Sequence, residues 1–227
     1  MIRRKYPPII IGMIRESIKL VSDDFFYNDL VKEVEDELVS FIFDARGKGK
    51  REAEFDFAWP YPVNPEVFDD EYSSMFLINI TMSPENDISG QVNVSGDAGE
   101  GPDGFATIDI KIQYQPGISN EDVYEDLIGQ LRNTLAHEMH HLTQAGPLER
   151  PDCPILPDRQ GDSHKDYFTS ACEVPSFVVG FRAEAEYKNT PIDELMRVYL
   201  GNYEKIGAIT SQESKDVLDT WLSHQFG

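Results

Sequence analysis

Cysteine is scarce in this chain: Cys153 and Cys172 are its only 2 in 227 residues. A pair this sparse is not the disulfide framework of a small secreted domain. The two can pair, although the simpler reading of Cys172 is a small buried hydrophobe. Positive charge is also short, with 20 Lys and Arg against 41 Asp and Glu and a net charge of −21. No basic stripe is available to neutralise phosphates, which excludes a nucleic-acid binder, and anionic membrane surfaces are excluded with it. The acidic surface instead keeps the protein in solution. No apolar run approaches the length of a membrane span. Met1–Lys5 followed by Ile9–Ile11 has the look of a signal peptide. However, Pro7-Pro8 and Arg15 bracket too short an apolar run, and no small-residue cleavage site follows. The expectation is a soluble, cytoplasmic protein. With 40% apolar residues the chain has enough material for a core, and its length suits a single domain.

Histidine is scarce too, with 5 in all, yet three stand together in His137-Glu138-Met139-His140-His141. This is the pattern His-Glu-x-x-His. Two His four residues apart on a helix project from neighbouring turns of one face and can meet at one tetrahedral zinc. The Glu beside the first His is placed to act as a general base. The surrounding sequence supports a helix. Ser119 to Asp122 has the form of a capping box, Pro116-Gly117 breaks the chain before it, and Gly146-Pro147 ends the run. At about 100° per residue, Leu127, Leu135 and Leu142 fall within about 40° of Leu131. His141 and His137 lie together at the margin of that stripe, Glu138 lies inside it, and His140 falls on roughly the opposite face.

Elsewhere the patterns are those of an α+β chain. Ser22-Asp23-Asp24 opens a helical repeat of Phe26, Leu30, Val34, Leu38 and Phe41. Glu52–Trp59 alternates as a half-buried strand, Phe76–Met82 reads as a more buried one, and Gln91–Val94 as a short one. Gly96–Gly104 reads as a mobile loop; it is rich in carboxylates but lacks the ligand spacing of a calcium loop. Phe105–Tyr114 alternates cleanly, with one wet face, which suits an edge or antiparallel strand. Pro147–Lys165 reads as a long loop. Three helices follow, over about Cys172–Tyr187, Pro191–Tyr203 and a last one opened by the capping box Thr210–Glu213. The strand-rich half spans about 50–115 and the helical half about 119–227.

Taken with its motif and element order, the chain resembles the zincin metallopeptidases over roughly residues 105–190. The places where metzincins carry Gly and a third His hold Gln144 and Pro147 here, so the resemblance is to the gluzincin branch. The segment Tyr167–Phe177 also looks like that of small phage-encoded metallopeptidase-like proteins, which would place the protein in a host cytoplasm. The resemblance implies a mixed or antiparallel sheet packed on the motif helix. It also implies that Phe105–Tyr114 is the edge strand that receives extended peptide.

The resemblance further implies one zinc ion held by His137, His141 and Glu173, with Glu138 as general base. Glu184 is the alternative ligand, or a residue orienting a ligand His, while Cys172 would give a His₂Cys site and Asp162, His164 and Asp166 lie on the loop. Gly180, on the face of Glu173, would let its helix approach another backbone closely. Tyr167 and His164, on a loop able to close over the site, are candidates to steady an oxyanion, as is Tyr187. The position four residues after Glu173, often Asp in this branch, is Phe177. The expected activity is zinc-dependent hydrolysis of peptide or protein substrates. The alternative is a metal-stabilised structural or assembly protein, for example of a phage.

Overall fold

The computed structural model describes residues 35, 51–58, 75–86, 90–100, 106–117, 120–143 and 164–225. Four strands form one mixed sheet: β1 (Arg51–Ala58), β2 (Met75–Pro84), β3 (Val92–Glu100) and β4 (Ala106–Tyr114), in the order β1-β2-β4-β3. β1 runs antiparallel to β2, β2 parallel to β4, and β3 antiparallel to β4. The helices are α1 (Asn120–Thr143), α2 (His164–Phe168), α3 (Glu173–Lys188), α4 (Ile192–Lys205) and α5 (Ser211–Gln225). The architecture is α+β, strands first and helices after. The helix expected around residues 23–44 and most of the loop 147–165 lie outside the described residues.

Strand alternation fixes the inward face. Ile78, Ile80 and Met82 of β2 lie beside Ile108, Ile110 and Ile112 of β4, and all six are buried. Asp109 and Lys111, between them, are exposed. β3 continues the inward row with Val94, Gly96 and Ala98 opposite Ile112, Ile110 and Ile108. α1 packs across β3 on this face. A Cβ added to Gly96 would stand 2.6 Å from Thr134 Cγ2 and 2.7 Å from Glu138 Cγ, so only glycine allows the strand to lie this close to the motif helix.

Two expectations are overturned here. β4 is antiparallel to β3, as its alternation allowed, but it is not the edge strand: it is paired on both sides, and the described edge next to it is β3. Its wet face arises because alternation reports which face of a sheet is covered, not where a strand sits in the order. The segment read as a mobile loop from Gly96 is strand as far as Glu100. Its glycines gave no alternation to read, and its conformation comes from pairing with β4.

The helices form a second core around Trp221, Phe168, Phe177, Phe181, Met196 and Leu200. The buried Trp221 indole donates to the Phe168 carbonyl at 2.8 Å, tying α5 to α2. The capping box is present at α5: Glu213 Oε2 accepts from the Thr210 amide at 2.8 Å, and the Glu213 amide donates to Thr210 Oγ1 at 3.2 Å. α3 ends at Asn189, whose φ of 48° is the left-handed cap that asparagine tolerates. No helix among the described residues is long and apolar enough to cross a membrane.

Candidate metal centre

α1 buries Leu127, Leu131 and Leu135 as its stripe predicts, and it carries His137, Glu138 and His141 to its C-terminal third. α3 runs antiparallel along it. Its first residue, Glu173, meets the two His, and its last, Lys188, bonds Asp126 near the start of α1 at 2.9 Å. Glycine sets how closely the two helices approach. A Cβ at Gly180 would stand 2.5 Å from Asn133 Oδ1 and 2.8 Å from the Asn133 carbonyl. Farther along the seam, buried Glu184 accepts from Asn133 Nδ2 at 2.8 Å and pairs with Lys188 at 3.1 Å.

At the metal end three donor atoms form a small triangle. His137 Nε2 and His141 Nε2 are 3.0 Å apart, and Glu173 Oε2 lies 3.3 Å and 3.4 Å from them. A tetrahedral zinc with bonds of about 2.0–2.1 Å holds its donors about 3.3–3.4 Å apart, so the residues fit the ion. Glu173 is only 6% exposed, and its Oε2 is buried with no hydrogen-bond partner among the described residues. A buried, unsatisfied carboxylate oxygen aimed at two imidazole nitrogens points to a cation. His137, His141 and Glu138 also bring donors within 4.8 Å of one another. The set with Glu173 is the tighter one, and it leaves Glu138 free for another task.

Charge in the cluster follows from burial. Burial raises the pKa of Glu173, but the two imidazoles beside it, His137 and His141, outweigh burial and hold the carboxyl down at about 2. Burial pushes Glu138 above 4.5, and the neighbouring imidazoles do not offset it. For His141, burial works downward and the bond to Glu173 upward, with a net rise. His140 is pushed down to about 4, chiefly by burial and then by His141 and His137.

The remaining candidates separate by position. Tyr167 faces Glu173 and Glu138: its pKa is raised by burial and then by the charges of those two carboxylates. Its ring meets Phe177 edge-on at 5.9 Å. His164 instead packs on Phe168 and Tyr203, with ring centroids 6.4 Å and 5.7 Å away. Neither sits on a loop able to swing: both belong to α2, anchored by fully buried Phe168 and by the Lys165–Asp216 ion pair at 2.6 Å. Tyr187 lies under Arg132, 4.6 Å from guanidinium to ring, fourteen residues or about 21 Å along α3 from Glu173. Glu184 contacts Asn133 and Lys188, not a ligand His. Cys172 is not a free buried hydrophobe: it is disulfide-bonded. Asp162 lies outside the described residues, while Asp166 is exposed.

Three residues near the site carry no sequence signal of their own. Ser176 Oγ lies 3.3 Å from His141 Nδ1. Phe177 packs its ring edge-on against His137 at 4.7 Å, an apolar wall where an acid was expected. Gln130 uses its amide as a peptide unit would: Oε1 accepts from the Val94 amide at 3.0 Å and Nε2 donates to the Val92 carbonyl at 3.3 Å. The spacing of Ser176 from Glu173, three residues on one helix, was the one clue available. Comparison with protein-family models, with curated proteins and with solved structures finds no match for this chain.

Proposed function

We propose that this chain is a zinc-dependent metallopeptidase of zincin type, with His137, His141 and Glu173 as ligands and Glu138 as general base. The observation that carries the reading is the donor triangle with its unpartnered Glu173 Oε2, and Glu138 buried beside it. Zinc bound there would polarise a scissile carbonyl and lower the pKa of water. Glu138 takes the proton from the attacking water and delivers it to the departing amine as the C–N bond breaks. Its raised pKa suits both halves of that transfer. Tyr167, which faces the charges of Glu173 and Glu138, is the hydroxyl best placed to donate to an oxyanion. His164 is no longer a candidate on this reading, because its ring is engaged with Phe168 and Tyr203.

Extended peptide is expected to pair with β3, not with β4. Gln115 donates to the Gln91 carbonyl at 3.0 Å, so Gln91 and Gln115 are a bonded pair of the β3–β4 ladder. Counting along the register, the odd residues of β3 turn their amides and carbonyls to β4, and Val92, Val94, Gly96 and Ala98 turn theirs to the open edge. Gln130 covers the first two, which leaves the stretch beside Glu138 for strand addition.

The competing reading, a metal-stabilised structural or assembly protein, draws on the ligands coming from two antiparallel helices, which a bound ion would staple together. Glu138→Gln separates the two. On the peptidase reading it abolishes cleavage of an unfolded protein such as casein while one zinc remains bound. A wild-type protein that holds zinc and cleaves nothing favours the structural role.

A further inference from the structure

We infer that Ser176 is a positioning residue for the metal centre: it fixes the ring orientation and tautomer of His141 so that Nε2 faces the ion. The inference rests on the zinc-site reading above. A ligand imidazole must present a bare nitrogen to the metal and therefore carries its proton on the other. His141 Nε2 is the nitrogen in the donor triangle, so Nδ1 must hold the hydrogen and needs an acceptor. That acceptor is Ser176 Oγ, 3.3 Å away.

A hydroxyl can donate or accept, so what sets its direction matters. Ser176 Oγ also lies 3.3 Å from the Cys172 carbonyl, four residues back on α3. A carbonyl has no proton, so toward Cys172 the Ser176 hydroxyl can only donate. Toward His141 Nδ1–H it presents a lone pair. Ser176 is 0% exposed, so no water can substitute for it. The backbone on which Ser176 turns also carries Glu173, whose amide donates to Ser170 Oγ at 3.3 Å. One turn of α3 thus supplies a ligand and the orienter of another. His137 is held by other means, with its ring on Phe177 and its Cβ against Gly180, so the two His are not secured alike.

The test compares Ser176→Ala and Ser176→Thr with the parent. Zinc affinity is measured by competition with a chromophoric chelator, the metal-free melting temperature serves as a folding control, and a long-range ¹H–¹⁵N spectrum reports the His141 ring. Ser176→Ala is expected to weaken zinc about 10–100-fold with the metal-free melt unchanged, and Ser176→Thr, which keeps the hydroxyl, to restore most of the affinity. The zinc-loaded parent is expected to show His141 protonated at Nδ1 and coordinated through Nε2. Zinc affinity of Ser176→Ala within about twofold of the parent, or coordination of His141 through Nδ1, overturns the inference. A parent that takes up no zinc overturns both this inference and the metallopeptidase reading. A parent that binds zinc without cleaving peptide overturns the peptidase reading alone, because the affinity ratio still decides the role of Ser176.

Discussion

Replacing Gly180 by alanine tests whether the seam between α1 and α3 sets the donor triangle. The new Cβ would stand 2.5 Å from Asn133 Oδ1, 2.8 Å from the Asn133 carbonyl and 3.3 Å from His137 Cβ. Asn133 cannot simply swing away, because its amide is bonded to buried Glu184 and its carbonyl is part of α1. Restoring a normal contact of about 3.5 Å requires the helices to part by about 0.7–1.0 Å at this point. Overpacking of this kind costs about 1–3 kcal/mol, and alanine returns about 1 kcal/mol of helix propensity, for a net loss of up to about 2 kcal/mol. In a chain of this size that corresponds to a melting temperature lower by up to about 8 °C. The same displacement moves Glu173 relative to His137 and His141, so zinc affinity falls about tenfold or more. Gly201 in α4 is the internal control: a Cβ there meets nothing within 4 Å, and Gly201→Ala should gain up to about 1 kcal/mol. Calorimetric melts of the metal-free and zinc-loaded proteins, with a zinc titration, read both effects. A Gly180→Ala protein that melts at or above the parent and binds zinc equally well would refute the reasoning.

Glu173→Ala should lose zinc almost completely, whereas Glu184→Ala should keep most of its affinity but lose about 1–3 kcal/mol of stability, because it removes the partner of the Asn133 amide and leaves Lys188 with Asp126 alone; zinc loss from Glu184→Ala with retention in Glu173→Ala would exchange the two roles. Stability of the metal-free protein should fall as pH rises above about 6.5. The pKa of His141, lowered by burial and raised more by Glu173, lies above 6.5 in the fold, so its contribution is complete below 6.5 and lost as pH passes the folded value. Glu138, raised from 4.5 by burial, acts in the same sense. His140, held at about 4 chiefly by burial, contributes oppositely but is already complete above 6.5. Zinc affinity should rise over the same interval, since binding displaces protons; metal-free melts that climb between about pH 6.5 and 8 would contradict this account.

Much of the site was legible in residues 119–143 alone. His137, Glu138 and His141 lie within one helix, so their mutual placement follows from helical rotation, and the Leu127–Leu131–Leu135 stripe fixed which way the helix faces. Glu173 and Gly180 were legible as a pair on one face of a second helix, although nothing in the spacing alone said which part of α1 they would meet. Tyr167 and His164 looked equivalent in sequence, a few residues apart before Glu173. The fold separates them, because α2 turns Tyr167 toward Glu173 and His164 toward Tyr203.

Local chemistry, then, determined most of the elements and the pairing of His137 with His141 on one helix face, because helix periodicity and capping act over a few residues. Strand order was decided only by the tertiary structure. β4 has the clean alternation and β3 almost none, yet β3 lies at the edge beside Glu138, since pairing partners come from distant parts of the chain and leave no local mark. The same holds for Ser176, Phe177 and Gln130. Each is an ordinary residue in its own segment, and each acquires its role from what α1 and α3 bring within hydrogen-bond or van der Waals reach of it.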